Sequence, residues 1–236
     1  METKFYSQLF HGNLTELTQQ DSHESFQPWL NKPLYLGNKG THFGFVYKGS
    51  PLLYRKQGEQ EYKLYPGMYF SLPGEGWVGG KDSSGIVITI PKFSGTFSIA
   101  GPIEEKGRFA YINGGTDSLL IPPIMLGDPC LNALYFPQHI DQDWHTHPSY
   151  RFGMVVSGKG ECKTMEGTIN FVPGLIFGIP AEEKHKFRTT SENLILVVFH
   201  PDSDVGFTHQ NHPMLNRTFV IGLSASQLPI IHRKIS

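Results

Sequence analysis

Three histidines stand at spacings that suit a metal ion. His145 and His147 are two residues apart in "WHTHPSYRFG", a stretch that reads as a strand, where residues two apart share a face. His185 follows "PGLIFGIPAEEK", in which a Pro-Gly turn, a strand ending near Pro180 and a short loop lead into a further strand. An antiparallel barrel that sets these segments side by side brings three imidazoles to one point in its interior. Imidazole suits zinc, iron, copper or nickel better than calcium or magnesium, which prefer oxygen. The expectation is one divalent transition metal per chain, Fe(II), Zn, Mn or Ni. Four residues after His147, where a carboxylate would complete such a set, the chain has Arg151.

Arginine keeps its proton in a protein, so Arg151 cannot be the missing ligand. Along an unbroken strand it points inward with His145 and His147, while Phe152, Met154 and Val156 pack on the other side. Two readings of it stay open. In one, Arg151 grips a carboxylate, phosphate or enolate of a substrate in a two-pronged contact while the metal binds a neighbouring oxygen. In the other it pairs with Glu182, Glu183, Glu161 or Asp143 and holds the barrel mouth together. A bulge would swing Arg151 outward and leave a fourth position to His139 or Glu183. Those two residues are also the candidate general bases. Tyr150 and Phe187 are candidate pocket-wall residues, Phe187 because it shares a face with His185.

The elements that must position these side chains are short. From about residue 34, β-rich runs such as "HFGFVYKG", "EYKLYPG", "GIVITIPKF", "YRFGMVVSGKG" and "NLILVVFHP" alternate with Gly and Pro turn signals, which argues for an all-β sandwich or barrel. One or two helical turns are expected around "LTELTQQ". The pattern also repeats. "PGMYFSLPGEGWV" (66–78) aligns with "PGLIFGIPAEEKH" (173–185), and "HFGFVYKG" (42–49) with "RFGMVVSG" (151–158), in the same order and at nearly the same offset. Two copies of one β fold follow, joined by the Gly/Pro-punctuated region 101–129. Carried back by the repeat, Leu36, Asn38 and Val78 stand where the second copy has its histidines, so the first copy has no metal site. His42 aligns with Arg151 and reads as a partly buried polar residue.

The residues so aligned resemble the cupin superfamily, and the tandem repeat resembles its two-domain members, the bicupins. In this sequence the first motif is His145-Thr146-His147, three residues, Arg151, six residues and Gly158; the second is Gly174, five residues, Pro180, two residues, two more, His185 and three to Thr189. It departs from the family pattern where Arg151 replaces a Glu ligand, His139 and Glu182 replace glycines and Thr189 replaces an asparagine. The resemblance covers residues 34–200 and implies two tandem cupin-type β-barrels, each a double-stranded β-helix or jelly roll. The expected parts are an N-terminal extension (1–33), a degenerate barrel (34–115), a metal-competent barrel (116–205) and a tail (206–236) that packs on a barrel or a partner subunit. It implies a metal-dependent enzyme, of dioxygenase or isomerase type, on a small oxygenated metabolite, anionic where Arg151 grips it. Arg151 and Glu183 are then the catalytic candidates, and Arg151, Tyr150 and Phe187 the substrate contacts. The alternatives are a non-catalytic bicupin that binds or senses a sugar or organic acid, and a metal-free storage protein. A homodimer is expected by the same analogy.

Bulk properties narrow the classes. Twenty basic and 21 acidic residues nearly cancel and form no block, which speaks against nucleic-acid and membrane partners. Two cysteines, Cys130 and Cys162, are too few for a disulfide framework, and the first residues lack a signal-peptide pattern, so a reducing cytoplasm is expected. The polar run 199–219, with His200, Asp202, His212 and Arg217, reads as a solvated tail, or as a lid supplying Arg217 or His212 to a pocket.

Overall fold

The computed structural model describes residues 24–228 and the backbone of two further strands, Tyr6–Leu9 and Leu17–Thr18. Two β-sandwiches follow one another along the chain. In the first, the sheet of Tyr69–Pro73, Thr41–Lys48, Ser84–Ile90 and Ser25–Leu30 faces a smaller one of Leu34–Leu36, Gly76–Gly79, Leu52–Arg55 and Gln60–Lys63. In the second, Leu175–Ile179, Arg151–Gly158, Leu194–His200 and Cys130–Phe136 form the corresponding large sheet, extended by Thr116–Ile121, and Thr168–Phe171, Gly160–Thr164 and His185–Arg188 the small one. Every strand pair in these sheets is antiparallel. The architecture is all-β, two jelly-roll units in tandem.

The sequence repeat has a steric basis. Gly44 and Gly153 lie under the rings of Phe70 and Phe177, and a Cβ at either would approach the ring Cζ to 2.1 and 2.4 Å. Gly49 and Gly158 both turn the chain with φ near +75° (75° and 74°), and Gly67 and Gly174 do so at 83° and 88°. These conformations are costly for any residue with a Cβ. The same three problems recur in each copy, so the same glycines do.

Alternation along the strands sorts side chains into three cores. Val46, Phe70, Val78 and Val87 fill the first sandwich; Val155, Phe171, Phe177, Phe187 and Val198 fill the second. The other faces of the two large sheets pack together through Phe26, Phe43, Phe45, Phe152, Met154 and Phe199. Burying a phenylalanine of this kind contributes about 1.5–3 kcal/mol, so this third core fixes one sandwich on the other.

Two boundary expectations differ in the structure. Ser25–Leu30 pairs with Ser84–Ile90 inside the first large sheet, so that unit begins before residue 34. Tyr6–Leu9, within the expected N-terminal extension, pairs with Leu175–Ile179 at the edge of the second unit. The helical turns expected over 14–20 fall mostly outside the described residues, and of that stretch Leu17–Thr18 is a strand. Both cysteines are free and buried. Among the described residues no helix is long and apolar enough to cross a membrane.

Candidate metal centre

The strand expected to carry His145 and His147 starts only at Arg151. Residues 140–147 still run beside His185–Arg188. The Thr189 N–H donates to the Ile140 carbonyl at 2.9 Å, the Gln142 N–H to the Phe187 carbonyl at 3.1 Å, and His145 and His185 exchange both backbone bonds at 3.0 and 3.1 Å. Asp141 opposes Arg188 and His145 opposes His185, so residues 142–144 face only 186–187. One residue is in excess, which is a β-bulge. It leaves Asp143 and Trp144 exposed in succession and returns both Gln142 and His145 to the inside. On the outer face Lys186 pairs with Asp141 at 2.6 Å and lies over the Trp144 ring at 5.5 Å.

The three imidazoles converge: each offers a nitrogen within 4.8 Å of the others, and the ring centroids are 4.5 to 5.2 Å apart. Two of the rings are fixed in the same way. His145 Nδ1 donates to the Asp143 carbonyl at 2.9 Å and His185 Nδ1 to the Glu183 carbonyl at 2.8 Å. Because a carbonyl only accepts, the proton sits on Nδ1 and each Nε2 presents a lone pair. Both Nε2 atoms are buried with no hydrogen-bond partner among the described residues. Burial, then the charge of Arg151 and the other imidazoles, holds His147 down to about 3. Burial also depresses His185 to about 4. Neutral rings with orphaned inward lone pairs fit a divalent metal ion.

His42 in the first unit is the internal contrast. It is equally buried, but its Nδ1 meets Thr89 Oγ1 and its Nε2 the Gly37 carbonyl, both at 2.8 Å, so nothing is left to bind. The counterparts of the triad there are apolar. Val78 opposes Leu34 as His185 opposes His145, so the position matching His145 is Leu34 and that matching His147 is Leu36, two residues earlier than the sequence repeat suggests. Leu36 and Val78 are core residues of that unit.

Arg151 lies inward, 6 % exposed, and no bulge precedes it in its strand. None of the ion pairs among the described residues involves it, and Glu161, one partner suggested by sequence, pairs with Arg188 at 3.7 Å. Its Nη1 donates to the Ser149 carbonyl (3.0 Å), Ser149 Oγ (2.6 Å) and the Tyr150 carbonyl (2.9 Å), while Nε is buried without a partner. Ser149 Oγ in turn donates to Asp202 Oδ1 at 2.5 Å. The guanidinium is thus clamped along one edge and open along the other.

The remaining candidates divide. Phe187 is inside, 5.7 Å from the His185 ring. Tyr150 is not in this pocket: its ring packs at a tilt against Phe152, 4.6 Å between centroids, in the core between the two units, and its hydroxyl bonds Glu24. It precedes Arg151, so when Arg151 points in, Tyr150 points out. Glu183 is half-buried and contributes its carbonyl to His185; burial, and after it the Glu183 charge, raises the Cys162 thiol inside the unit. His139 is exposed in a left-handed turn (φ 64°), away from the triad, and Arg217 is exposed on the tail. His139 and Glu182 (φ 60°) keep the backbone conformation that a glycine would take at those positions. Two residues went unassigned from sequence. His200, read as part of the polar tail, ends the strand Leu194–His200 with its ring 6.4 Å from that of His147, and burial and Arg151 keep it neutral. Gln142, hidden in the polar run "DQDW", is turned in by the bulge.

Residues 134–214 match a family model described as "Cupin domain". A search of curated proteins finds no match. Among solved structures the chain is similar to a cupin 2 conserved barrel domain protein from Leptotrichia buccalis, at 13 % identity and TM-score 0.59, covering 86 % of this chain and 91 % of that one. It is similar to salicylate 1,2-dioxygenase from Pseudaminobacter salicylatoxidans at 10 % identity and TM-score 0.57, covering 80 % and 76 %. A mutant oxalate decarboxylase from Bacillus subtilis gives 8 % identity and TM-score 0.54, covering 85 % and 78 %.

Proposed function

We propose that this chain, a cupin-fold protein with two tandem units, is a metal-dependent enzyme of dioxygenase or isomerase type acting on a small anionic, oxygenated metabolite in its second unit. The observation that carries the reading is the pair of buried, partnerless Nε2 atoms on His145 and His185. A buried acceptor left unpaired costs about 1–3 kcal/mol, and here two are aimed at one point with His147 beside them. A divalent ion held by His145, His147 and His185 would supply Lewis-acid polarisation of a substrate oxygen or, where redox-active, O₂ chemistry.

Arg151 supports the anionic substrate. A buried guanidinium with a free Nε edge is matched by a carboxylate, which it orients by charge-assisted hydrogen bonds. Ser149, itself held by Asp202, fixes the other edge, so the clamp is set before substrate arrives. Glu183, half-buried at the mouth, is the proposed proton acceptor. The homodimer expected by analogy is retained as a proposal, with the tail as its surface, where Met214, Phe219 and Ile221 are 73, 67 and 100 % exposed.

The test is metal content by mass spectrometry on untagged protein, beside a His145→Ala/His185→Ala double variant. About one iron, zinc, manganese or nickel per chain, lost in the variant, is expected; protein that stays metal-free after reconstitution sinks the reading. Oxygen uptake by the iron-loaded form with small organic acids then separates an enzyme from a bicupin that only binds them.

A further inference from the structure

We infer that Gln142 is a ligand-binding residue of the same pocket, and that the ligand is therefore a carboxylate carrying a further acceptor oxygen, a hydroxyl or carbonyl, for the Gln142 amide. The inference rests on the proposed metal centre and Arg151 clamp and specifies what they hold.

The orientation of the Gln142 amide follows from its partner. Its side chain meets the Phe187 backbone N–H at 3.1 Å, and an N–H can only donate, so the oxygen faces Phe187 and the NH₂ faces away. That NH₂ is buried, in a residue only 1 % exposed, and has no hydrogen-bond partner among the described residues. The bulge points it inward. Ile140, two residues before, packs into the core of the second unit, and His145, beyond the extra residue, enters the triad. Strand rise of ~3.3 Å per residue places Gln142 roughly 7–10 Å along the same inner surface from His145. Phe187, its backbone partner, touches the His185 ring.

Two unpaired side-chain groups of this interior, Arg151 Nε and Gln142 Nε2, are donors, and the Nε2 lone pairs of His145 and His185 face the metal centre, which attracts oxygen. Both donors ask for an acceptor. A simple monocarboxylate satisfies Arg151 and the metal centre and leaves the Gln142 amide unpaired; an acid with an additional oxygen pairs all three.

Propionate and 3-hydroxypropionate share charge and skeleton and differ by one hydroxyl, so they isolate the Gln142 contact. Their affinities for the zinc-loaded full chain are measured by calorimetry, for wild type, Gln142→Glu and Gln142→Met. Glu keeps an oxygen for the Phe187 N–H, and Met keeps the length of the side chain without polar atoms. 3-Hydroxypropionate is expected to bind wild type roughly tenfold tighter than propionate, the worth of one hydrogen bond in a buried site. The ratio is expected to collapse to about one in both variants while zinc content stays unchanged. A variant that merely misfolds in part lowers the competent fraction for both acids and leaves their ratio where it was. A wild-type preference that survives in either variant overturns the Gln142 assignment alone. Zinc-loaded wild type that binds neither acid overturns it together with the Arg151 clamp, and protein that takes up no zinc overturns the metal centre itself.

Discussion

Acid should strip stability from the metal-free protein through His185. This ring is fully buried and held at about 4, chiefly by burial. In the unfolded chain it titrates at about 6.5. Between these values the unfolded state binds the proton and the native state does not, so stability is intact above pH ~6.5 and falls as pH drops towards 4. The shift of ~2.5 units corresponds to about 3 kcal/mol, at a gradient approaching ~1.4 kcal/mol per pH unit around pH 5. His147 and His200 are also depressed by burial and steepen the same limb. Urea unfolding in chelator at pH 7, 6, 5 and 4.5 measures this directly, with His185→Gln as the control. Glutamine retains an N–H for the Glu183 carbonyl but takes no proton. Its curve should be flatter than wild type by about 1 kcal/mol per pH unit between pH 6 and 4.5. Parallel curves would show that His185 is not held neutral in the native state, and the argument from burial would fail.

Four further changes probe the frame of the two units and of the site. Gly153→Ala drives a Cβ to 2.4 Å from the Phe177 ring and should cost about 1–3 kcal/mol in denaturant unfolding, as should Gly44→Ala under Phe70 in the first unit. Glu182→Gly relieves a left-handed backbone next to the metal loop and should raise Tm by about 2–4 °C, with metal content unchanged. Thr189 Oγ1 donates to the Pro137 carbonyl at 2.5 Å and accepts from the Ile140 N–H at 2.9 Å, closing the turn that contains His139. Thr189→Val keeps the shape, strands both backbone groups, and should cost about 1–3 kcal/mol by urea unfolding.

Much of this was legible in residues alone. Repeated glycines at 44 and 153, 49 and 158, and 67 and 174 mark positions where sterics admit almost nothing else, so they report fold and duplication without coordinates. The histidine spacing named the triad for the same reason, since few side chains can replace a lone-pair donor. Arg151 could be placed by strand alternation, but not its partner. Only the folded chain decided that none of the ion pairs among the described residues involves it and that Ser149, held by Asp202, clamps one edge, because Asp202 lies 53 residues from Ser149 in sequence. Tyr150, expected as a pocket-wall residue, lies instead in the core between the units, where alternation next to an inward Arg151 sends it. The bulge at residues 142–144 left no mark in the sequence pattern. It exists only in the pairing of Asp141 with Arg188 and His145 with His185, and that pairing is what turns Gln142 and the histidines to the same interior. Local periodicity determines which residues lie on one face; register against a distant strand determines where that face points.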